Sequence, residues 1–542
     1  MIDGEDRAPP VLGGRLAWTA LILVGATQAL SMVDRQILSI LLPKIKADLH
    51  VQDAEMGLLY GTVFAFFYAV FSLPLGRLAD GWVRRKLLSL AILGWSAATA
   101  LAGFANGFGL LMISRLGVGI GEASVQPAGM SLLTDRFPRH QRGLISAGFA
   151  AALALGLGGA SMIGGPTAEA WDKAWAAGAA PLGFRGWQVA FIVVAIPGIL
   201  LSWLLWRMPE PVRGASDGIV VAEDPAPFGA ALGTLGSVLP VTCWIGFARL
   251  RASIGIWLVN FAALAAIVAI VVFMANWTNG LRPVNPIAIA VLGHGFTGNE
   301  LQWGVSGLGA YVLLNWMQSL KLANPPTYAV ICKSPALWCV IGVGAFQSIV
   351  NYGVMGFTPS FLITHFHQNA GQVGFQFGLM SALLGFIGPL VAGPVADWAN
   401  KKVRGGRLWV TLVALGVSPF IAFFVYRAAT PEAFYIAFVP FSLILTMWTP
   451  AIYATYLDLV LPRMRGVVMS FYILSMTIVG LGFGPYTVGM VSDLNGHDLG
   501  AAILSVYWIG PLIVLLILLG IWRLPRDEAS MLARARAAGE PV

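Results

Sequence analysis

The sequence predicts an all-α polytopic membrane protein in which two six-helix bundles form a parallel pseudo-repeat, with two accessory transmembrane helices between the halves. Three observations predict this fold: the composition, the number and length of the apolar runs, and the recurrence of two short motifs. Of the 542 residues, 58% are hydrophobic and only 11% are charged, whereas soluble domains carry about 25% charged residues. Helices of about 20 apolar residues satisfy their own backbone groups inside a bilayer.

The apolar runs between charged, Pro and Gly residues predict fourteen spans. The first set of six lies near 16–42, 56–78, 87–106, 108–134, 143–166 and 187–206. The second set of six lies near 336–364, 371–396, 408–427, 434–461, 466–491 and 500–523. Two further spans, 253–276 and 303–320, lie between the sets, and the apolar segment 228–247 is expected to lie on the membrane or to dip into it.

These runs divide the chain into four parts. We expect an N-terminal six-helix bundle (1–206), a cytoplasmic linker and insertion that holds the two extra spans (207–335), a C-terminal six-helix bundle (336–524) and a cytoplasmic tail (525–542). The repeat accounts for twelve helices without the insertion. We therefore expect its two spans to lie outside any central cavity.

The positions of Lys and Arg predict the orientation, because these residues accumulate on the cytoplasmic side of membrane proteins. If the N-terminus is placed inside, 25 of the 33 Lys and Arg residues fall inside, six fall outside and two lie within spans. Both termini are then cytoplasmic, in a plasma membrane or in the inner membrane of a bacterium. The net charge of +8 is accounted for by this asymmetry and does not indicate a nucleic-acid partner.

Signals for a cofactor, a metal or an enzyme are weak. The three cysteines, Cys243, Cys332 and Cys339, have no disulfide or metal spacing. The segment GHGFTG (293–298) satisfies G-x-G-x-x-G, but a dinucleotide site also needs a βαβ unit and an acidic residue about 20 positions further on. The sequence shows no nucleophile–base set. We therefore expect no enzyme, no metal and no cofactor.

Two short patterns occur once in each set of spans. GRLADGWVRRK (76–86) follows the second span of the first set, and GPVADWANKK (393–402) follows the second span of the later set. DRFPRHQRG (135–143) and DLVLPRMRG (458–466) follow the two fourth spans. Parallel six-span repeats are a transporter architecture in which the substrate binds between the halves near the middle of the membrane.

On these motifs the chain resembles the major facilitator superfamily, whose signature between helices two and three is similar to residues 76–86. Gly81 and Val83 depart from that signature, which commonly has Arg and Gly there. Within the superfamily, the chain resembles the spinster branch, and five segments carry that resemblance: MVDRQ (32–36), RLGVGIGEAS (115–124), NYGVMGFTPSFLITH (351–365), LPRMRGVVMS (461–470) and GLGFGPYTVGMVSD (480–493). The resemblance implies the major facilitator fold and a secondary transporter that works by alternating access.

The duplicated loops predict a cytoplasmic gate. Gly76 is expected at a tight helix contact, and Asp80 is expected to cap a helix of the opposite half when the outside is open, with Asp397 acting similarly for the second half. The residues assigned to this gate are Gly76, Asp80, Arg84, Arg85, Asp135, Arg142, Asp397, Asp458 and Arg465.

Four ionisable residues lie deep within predicted spans, where such residues usually mark a pathway or relay. Asp34 lies nine residues before the outer end of its span and Arg115 seven residues after the outer start of its own, which is roughly 13 Å and 10 Å of helix. This similar depth predicts an Asp34–Arg115 charge pair. Glu122 lies two turns further along nearly the same face, so one arginine is expected to serve both carboxylates.

We interpret Asp34, Arg115 and Glu122 as proton-coupling residues, because protonating either acid frees the arginine to pair elsewhere. The spinster resemblance implies the same role for the matching acid and arginine. The alternative is a permanent buried ion pair that only fixes helix packing, although such pairs are often neutral for stability or worse. For Arg35, a helix-contact or snorkelling role and a functional role remain open.

The predicted lining of the cavity is aromatic and rich in amides, which suits an amphipathic molecule. Spinster-branch transporters are associated with sphingolipids and lysophospholipids, so the hypothesis is proton-coupled transport of a lysophospholipid-like or sphingoid-like molecule by a monomer in the bilayer. The alternatives are a proton-coupled transporter of a small organic anion or amphipathic drug, and a non-transporting membrane sensor. The residues predicted to line the cavity are Gln347, Asn351, Tyr352, Trp448, Tyr453 and Tyr456.

Overall fold

The structure is a computed structural model that describes residues 13–138, 141–214, 224–282, 284–291, 293–461 and 464–539. Part of the predicted cytoplasmic linker, 215–223, lies outside the described residues. So do the N-terminal segment 1–12 and two arginines of the charge count, Arg139 and Arg463.

Six helices form the N-terminal bundle. Their bounds are α1 (Gly14–Leu49), α2 (Asp53–Gly81), α3 (Arg84–Ala102), α4 (Phe108–Thr134), α5 (Arg142–Ala174) and α6 (Gly186–Arg207). Within the bundle, α1 packs along α5, and α3 packs against both α4 and α6.

The described part of the insertion contains five helices and one small hairpin. Its elements are α7 (Pro227–Gly236), α8 (Thr242–Arg249), α9 (Ile254–Leu281), β1 (Ile287–Val291), β2 (His294–Thr297), α10 (Gly298–Ala323) and α11 (Pro325–Cys332). The segment 228–247, which was expected to lie on the membrane or to dip into it, forms most of the short helices α7 and α8. Helix α7 packs on α2, and the ring centroids of Trp82 and Phe228 lie 5.0 Å apart at this contact.

Six helices form the C-terminal bundle. Their bounds are α12 (Pro335–His365), α13 (Ala370–Lys402), α14 (Gly406–Tyr426), α15 (Pro431–Asp458), α16 (Arg465–Leu494) and α17 (Leu499–Ala537).

Twelve helices of the described chain are long and apolar enough to cross a membrane. The other two predicted spans, 87–106 and 303–320, are also helical, as α3 and α10, but neither is among those twelve. In α10 the reason is a polar face, since Asn299, Gln302, Asn315 and Gln318 are all buried. These side chains pack against protein, so the helix is less apolar than a span that faces lipid.

The prediction of purely helical structure missed the hairpin of β1 and β2. The strands are antiparallel, with Ile289 opposite Phe296. The glycine-rich segment 293–298 therefore lies in and after a hairpin and not in a βαβ unit. Thr297 then caps α10, because its hydroxyl accepts a hydrogen bond from the Glu300 amide at 3.2 Å.

The two halves meet most closely on one side of the membrane. We call the side that carries the α2–α3, α4–α5, α13–α14 and α15–α16 loops the basic face, and the other side the opposite face. Toward the opposite face, the Ser39 hydroxyl of α1 donates to the Gly356 carbonyl of α12 at 2.7 Å. At the crossing of α5 and α13, a Cβ atom added to Gly158 would lie 2.1 Å from the Gly378 carbonyl oxygen, so the two backbones are in direct contact.

Candidate functional site

Asp34 and Arg35 of α1 lie in a buried layer about midway along the N-terminal bundle. Asp34 is completely buried, and Arg115 and Glu122 of α4 are 2% and 1% exposed. The indole nitrogen of Trp95 donates to Asp34 Oδ2 at 3.0 Å, whereas Asp34 Oδ1 accepts no hydrogen bond from a described residue. The Asp34 carboxylate therefore has the Trp95 indole as its hydrogen-bond donor, the Thr99 hydroxyl as a further neutral neighbour, and no ion pair within the described chain.

Arg35 points away from Asp34 and forms the ion pair of this layer. Its Nη2 lies 2.9 Å from Glu122 Oε2, and the Ser31 hydroxyl donates to the same oxygen at 2.9 Å. The Arg35 guanidinium also lies over two rings of α2, 4.5 Å from the centroid of Phe64 and 4.9 Å from that of Tyr68. Arg35, whose role the sequence left open, is therefore the partner of Glu122.

Arg115 forms no ion pair with Asp34 or Glu122 in the described chain, so the prediction that it pairs with both carboxylates is wrong. Arg115 Nη1 donates to the main-chain carbonyl of Asp34 at 2.9 Å, and its guanidinium lies 5.1 Å from the ring centroid of Phe191. Depth along a helix is readable from sequence, but each residue turns about 100° around the axis. The rotation of α1 relative to α4 decides that Arg35, and not Arg115, reaches Glu122.

Side chains of α12 and α15 meet this layer from the C-terminal bundle. Tyr352 lies close enough to interact electrostatically with Arg35 on one side and with Tyr453 on the other. One helical turn before Tyr352, Gln347 Nε2 donates to Asn351 Oδ1 at 3.1 Å. Three of the predicted cavity residues, Gln347, Asn351 and Tyr352, thus lie together on one stretch of α12.

The other predicted cavity residues belong to a largely buried aromatic group. Tyr453 and Tyr456 lie 5.6 Å apart between ring centroids, and Tyr456 stacks on Tyr472 at 4.9 Å. Trp448 is 3% exposed, and its Nε1 has no hydrogen-bond partner in the described chain. Tyr472, which lies on α16, was not among the predicted cavity residues, because these came from the segments that form α12 and α15 alone.

On the basic face, the first copy of the duplicated loop is held by one buried arginine. Arg84 is fully buried, its Nε donates to Glu210 Oε1 at 2.9 Å, and its Nη1 pairs with Asp135. The Arg85 amide donates to Glu210 Oε2 at 3.1 Å. Glu210 was missed because the sequence assigns it to the linker that follows α6.

The second copy repeats this arrangement with an arginine that was also missed. Arg407 Nε donates to Asp397 Oδ1 at 2.9 Å, and its Nη1 pairs with Asp458. Arg407 opens α14 just as Arg84 opens α3. The repeat is the signal that could have found it, because Asp458 corresponds to Asp135.

The remaining gate residues are placed less tightly than expected. A Cβ atom added to Gly76 would meet Pro127 Cβ at 3.8 Å, an ordinary contact, so the prediction of a tight helix contact there is wrong. The Asp80 main-chain carbonyl accepts a hydrogen bond from Arg213 of the linker. Arg142 and Arg465 are the first residues of α5 and α16.

Among the described residues, the ion pairs of Arg84 join the N-terminal bundle to the linker or lie within that bundle, and those of Arg407 lie within the C-terminal bundle. Arg84 bonds to Asp135 and Glu210, and Arg407 bonds to Asp397 and Asp458. The predicted capping of a helix of the other half by Asp80 applies when the opposite face is open. It stays a prediction.

Two six-helix bundles with duplicated basic loops, and a layer of buried charge within the first bundle, form the architecture of a secondary transporter. A family model described as the Major Facilitator Superfamily matches residues 24–485. The chain belongs to the Major Facilitator Superfamily, and it is a transporter and not an enzyme.

Three comparisons place the chain within this superfamily. An MFS-type efflux pump of Mycolicibacterium smegmatis is 24% identical over 93% of this chain and 90% of its own length. The protein spinster homolog 1 of Homo sapiens is 31% identical over 39% of this chain and 38% of its own. The solved structure of a bacterial homolog to the human lysosomal transporter spinster, inward-facing and unoccupied, is 19% identical and has a TM-score of 0.64 over 97% of this chain and 98% of that one. The predicted fold and the resemblance to spinster proteins are confirmed.

Proposed function

We propose that this spinster-like transporter moves an amphipathic, lipid-like molecule of the lysophospholipid or sphingoid type and couples that movement to protons by alternating access. The observation that carries the proton coupling is the environment of Asp34. Its carboxylate is fully buried, receives one hydrogen bond from Trp95 and has no ion-pair partner in the described chain. Glu122, in the same layer, is neutralised by Arg35.

A buried carboxylate without a partner is costly, so Asp34 needs either a proton or a cation. Arg115 is the available cation, because its guanidinium already bonds to the Asp34 main chain and interacts electrostatically with both carboxylates. A small shift of α4 against α1 exchanges the main-chain bond for a bond to the carboxylate. Occupancy of Asp34 by a proton then depends on conformation, which is the minimum requirement for coupling.

The proposed substrate class rests on the surface that faces this charged layer. Tyr352 and Tyr453, which are only partly buried, present aromatic rings with hydroxyl groups, and Gln347 and Asn351 add amides. Such a lining binds an apolar body and one polar headgroup better than it binds a polyhydroxylated solute.

The setting of the transporter is part of the same proposal. The excess of Lys and Arg on the basic face supports cytoplasmic termini in a plasma membrane, or in the inner membrane of a bacterium. Protons are the proposed coupling ion, without a further cofactor. The proposed working unit is a monomer whose partners are its substrate and the bilayer.

The test is uptake by purified protein in proteoliposomes, with labelled lysophosphatidylethanolamine, sphingosine and a sugar acid as separate substrates. Each is measured with and without a pH gradient. Asp34→Asn should keep substrate exchange without a gradient and lose the response to one. The matched control is Asp498→Asn, because Asp498 caps the start of α17 through the Ala501 amide and Asn caps equally well.

Three results would overturn parts of the proposal. A full gradient response in Asp34→Asn would remove Asp34 from the coupling. Uptake of the sugar acid alone would replace the lipid-like substrate by a small organic anion. Specific binding of lysolipid without any transport of the three substrates would favour a membrane sensor.

A further inference from the structure

We propose that the insertion is a third limb of the gate on the opposite face, in which Arg282 holds α2 of one half against α16 of the other. The inference rests on the alternating-access part of the proposed function. The proposal assigns a role to α9 and α10, the two helices that the repeat of six helices in each half does not account for.

Arg282 follows the last residue of α9 and joins all three parts of the molecule. Its Nη1 lies 2.8 Å from Glu55 Oε1 and its Nη2 lies 3.1 Å from both Glu55 Oε2 and Asp493 Oδ2. Glu55 lies in the first turn of α2 and Asp493 in the last turn of α16. We call Glu55, Arg282 and Asp493 the opposite-face latch; the three side chains are 1%, 1% and 3% exposed.

The latch is charged and shielded from solvent. Burial disfavours the protonated guanidinium, but the hydrogen bond and charge of Glu55, together with the charge of Asp493, outweigh it and raise the pKa of Arg282. Removing one member of a buried ion pair leaves the other uncompensated. The latch therefore contributes to closure only as long as all three members stay in place.

The elements joined by the latch are also in backbone contact. Asp493 accepts hydrogen bonds from the Asp53 and Ala54 amides, both at 3.0 Å, so it caps the start of α2. A Cβ atom added to Gly489 would lie 2.1 Å from the Asp53 carbonyl oxygen. Because α2 and α16 belong to different halves, any opening of the opposite face has to separate these groups.

A second tie lies deeper along the same seam. Gln302 of α10 donates through Nε2 to the Gly482 carbonyl of α16 at 3.1 Å, and the Thr62 hydroxyl of α2 contacts both of these groups. Thr62 belongs to the π-helical stretch Leu58–Val63, and Gly482 follows the π-helical stretch Met476–Leu481. The insertion thus bridges the α2–α16 seam at two depths.

The insertion acts as one body because a buried polar network joins its helices. The Asn260 amide nitrogen donates to Asn315 Oδ1 at 2.8 Å and to Gln318 Oε1 at 2.7 Å. The Tyr311 hydroxyl and the Trp244 indole donate to Asn260 Oδ1 at 2.7 and 2.9 Å. Helices α8, α9 and α10 are therefore fixed to one another.

The geometry also indicates which contacts break when the opposite face opens. Arg282 is bidentate on Glu55 but makes one contact with Asp493, and α7 packs on α2. The insertion should therefore stay with the N-terminal half, and opening should break the Arg282–Asp493 contact and the Gln302–Gly482 bond.

The test measures how often the opposite face opens, by labelling a buried cysteine in purified protein in detergent micelles. The reporter is Ser39→Cys in a background that lacks Cys243, Cys332 and Cys339. Ser39 is completely buried, and its carbonyl accepts a hydrogen bond from Ser360 at 3.3 Å. Ser360 in turn lines a cavity of about 350 Å³ on the opposite face, so a thiol reagent reaches the reporter when this layer separates.

Arg282→Gln should raise the labelling rate of the reporter about tenfold, which corresponds to ~1.4 kcal/mol taken from the closed state. Asp493→Asn, which keeps the bidentate Arg282–Glu55 pair, should raise the rate as well. Arg249→Gln is the matched control, because Arg249 is an exposed arginine of the same insertion, and it should leave the rate unchanged.

The proposal is overturned if the folded Asp493→Asn and Arg282→Gln proteins label at the parental rate, or if Arg249→Gln accelerates labelling equally. If Arg282→Gln fails to fold, Asp493→Asn alone decides between these outcomes. Labelling needs neither a substrate nor a proton gradient. A failed latch is therefore distinguishable from a failed assignment of substrate or coupling ion, which only the uptake assay detects.

Discussion

Arg35 Nη2 lies 2.9 Å from Glu122 Oε2, with the two side chains 10% and 0% exposed. This pair neutralises one carboxylate of the buried layer. Asp34, the adjacent residue on α1, faces the Trp95 indole instead. Two acids of the same buried layer thus have different partners, an arginine for Glu122 and a neutral indole for Asp34.

Glu122→Gln should destabilise the protein by about 3–5 kcal/mol, because Arg35 then stays buried without a counter-charge. The double variant Arg35→Met with Glu122→Met should recover most of that loss, since no charge remains to be compensated. Chemical unfolding in detergent micelles measures both. The single variants Arg35→Met and Glu122→Met complete the cycle, and a double variant that loses as much as the sum of these two would show that the two side chains are not coupled.

Arg115→Lys should keep the response of transport to a pH gradient and lose about 2 kcal/mol of unfolding free energy. The charge stays near Asp34, but the planar contact with the Phe191 ring and the bond to the Asp34 carbonyl are weakened. Arg115→Met should lose the gradient response as well. Uptake into proteoliposomes and unfolding are measured on the same preparations. If folded Arg115→Lys responds no better than Arg115→Met, geometry and not charge is what coupling requires.

The two copies of the basic-face loop should differ in stability. Arg84→Met should cost about 3–5 kcal/mol, because Arg84 is fully buried and its partners Asp135 and Glu210 would be left uncompensated. Arg407→Met should cost about 1 kcal/mol or less, because the Asp397 and Asp458 side chains are 58% and 52% exposed. Thermal unfolding of the two variants compares them directly. Equal losses would mean that burial does not determine how much these ion pairs stabilise the two loops.

Gly158→Ala should destabilise the contact between the halves by about 1–3 kcal/mol, as overpacking does in tight cores. The added Cβ atom would lie 2.1 Å from the Gly378 carbonyl oxygen and 2.6 Å from Ala382 Cβ. Gly385→Ala, on the same α13 helix, is the matched control, because an added Cβ atom there meets nothing within 4 Å. Unfolding measurements should show a loss for the first variant and none for the second. The opposite order would contradict the close α5–α13 crossing.

Most of the helices were predictable because their signal is local. The run predicted near 56–78 is α2, Asp53–Gly81, and the weaker run at 303–320 is α10, Gly298–Ala323. The ends of α10 were harder to predict from hydropathy, because polar capping residues define them. Thr297 and Asn324 flank the helix, and neither changes the hydropathy of the run.

Many residues of the site could be predicted from the sequence, but the ion pairs that they form could not. The repeated loops identified Asp135 and Asp458, yet the arginines and the acid that complete them, Arg407 and Glu210 among them, come from neighbouring helices and the linker. Similar depth suggested an Asp34–Arg115 pair. The pair that forms joins Arg35 to Glu122.

The sequence by itself determined the membrane class, the twelve-helix repeat, the position of the insertion and the depth of the buried charges. These properties depend on hydropathy and spacing along one chain, which each segment carries independently of its neighbours. Only the tertiary structure decided which arginine meets which carboxylate and that Arg282 of the insertion lies between Glu55 and Asp493. The physical reason is that such contacts depend on the rotation of each helix about its axis and on where separate elements cross, and these follow from the packing of all the helices together.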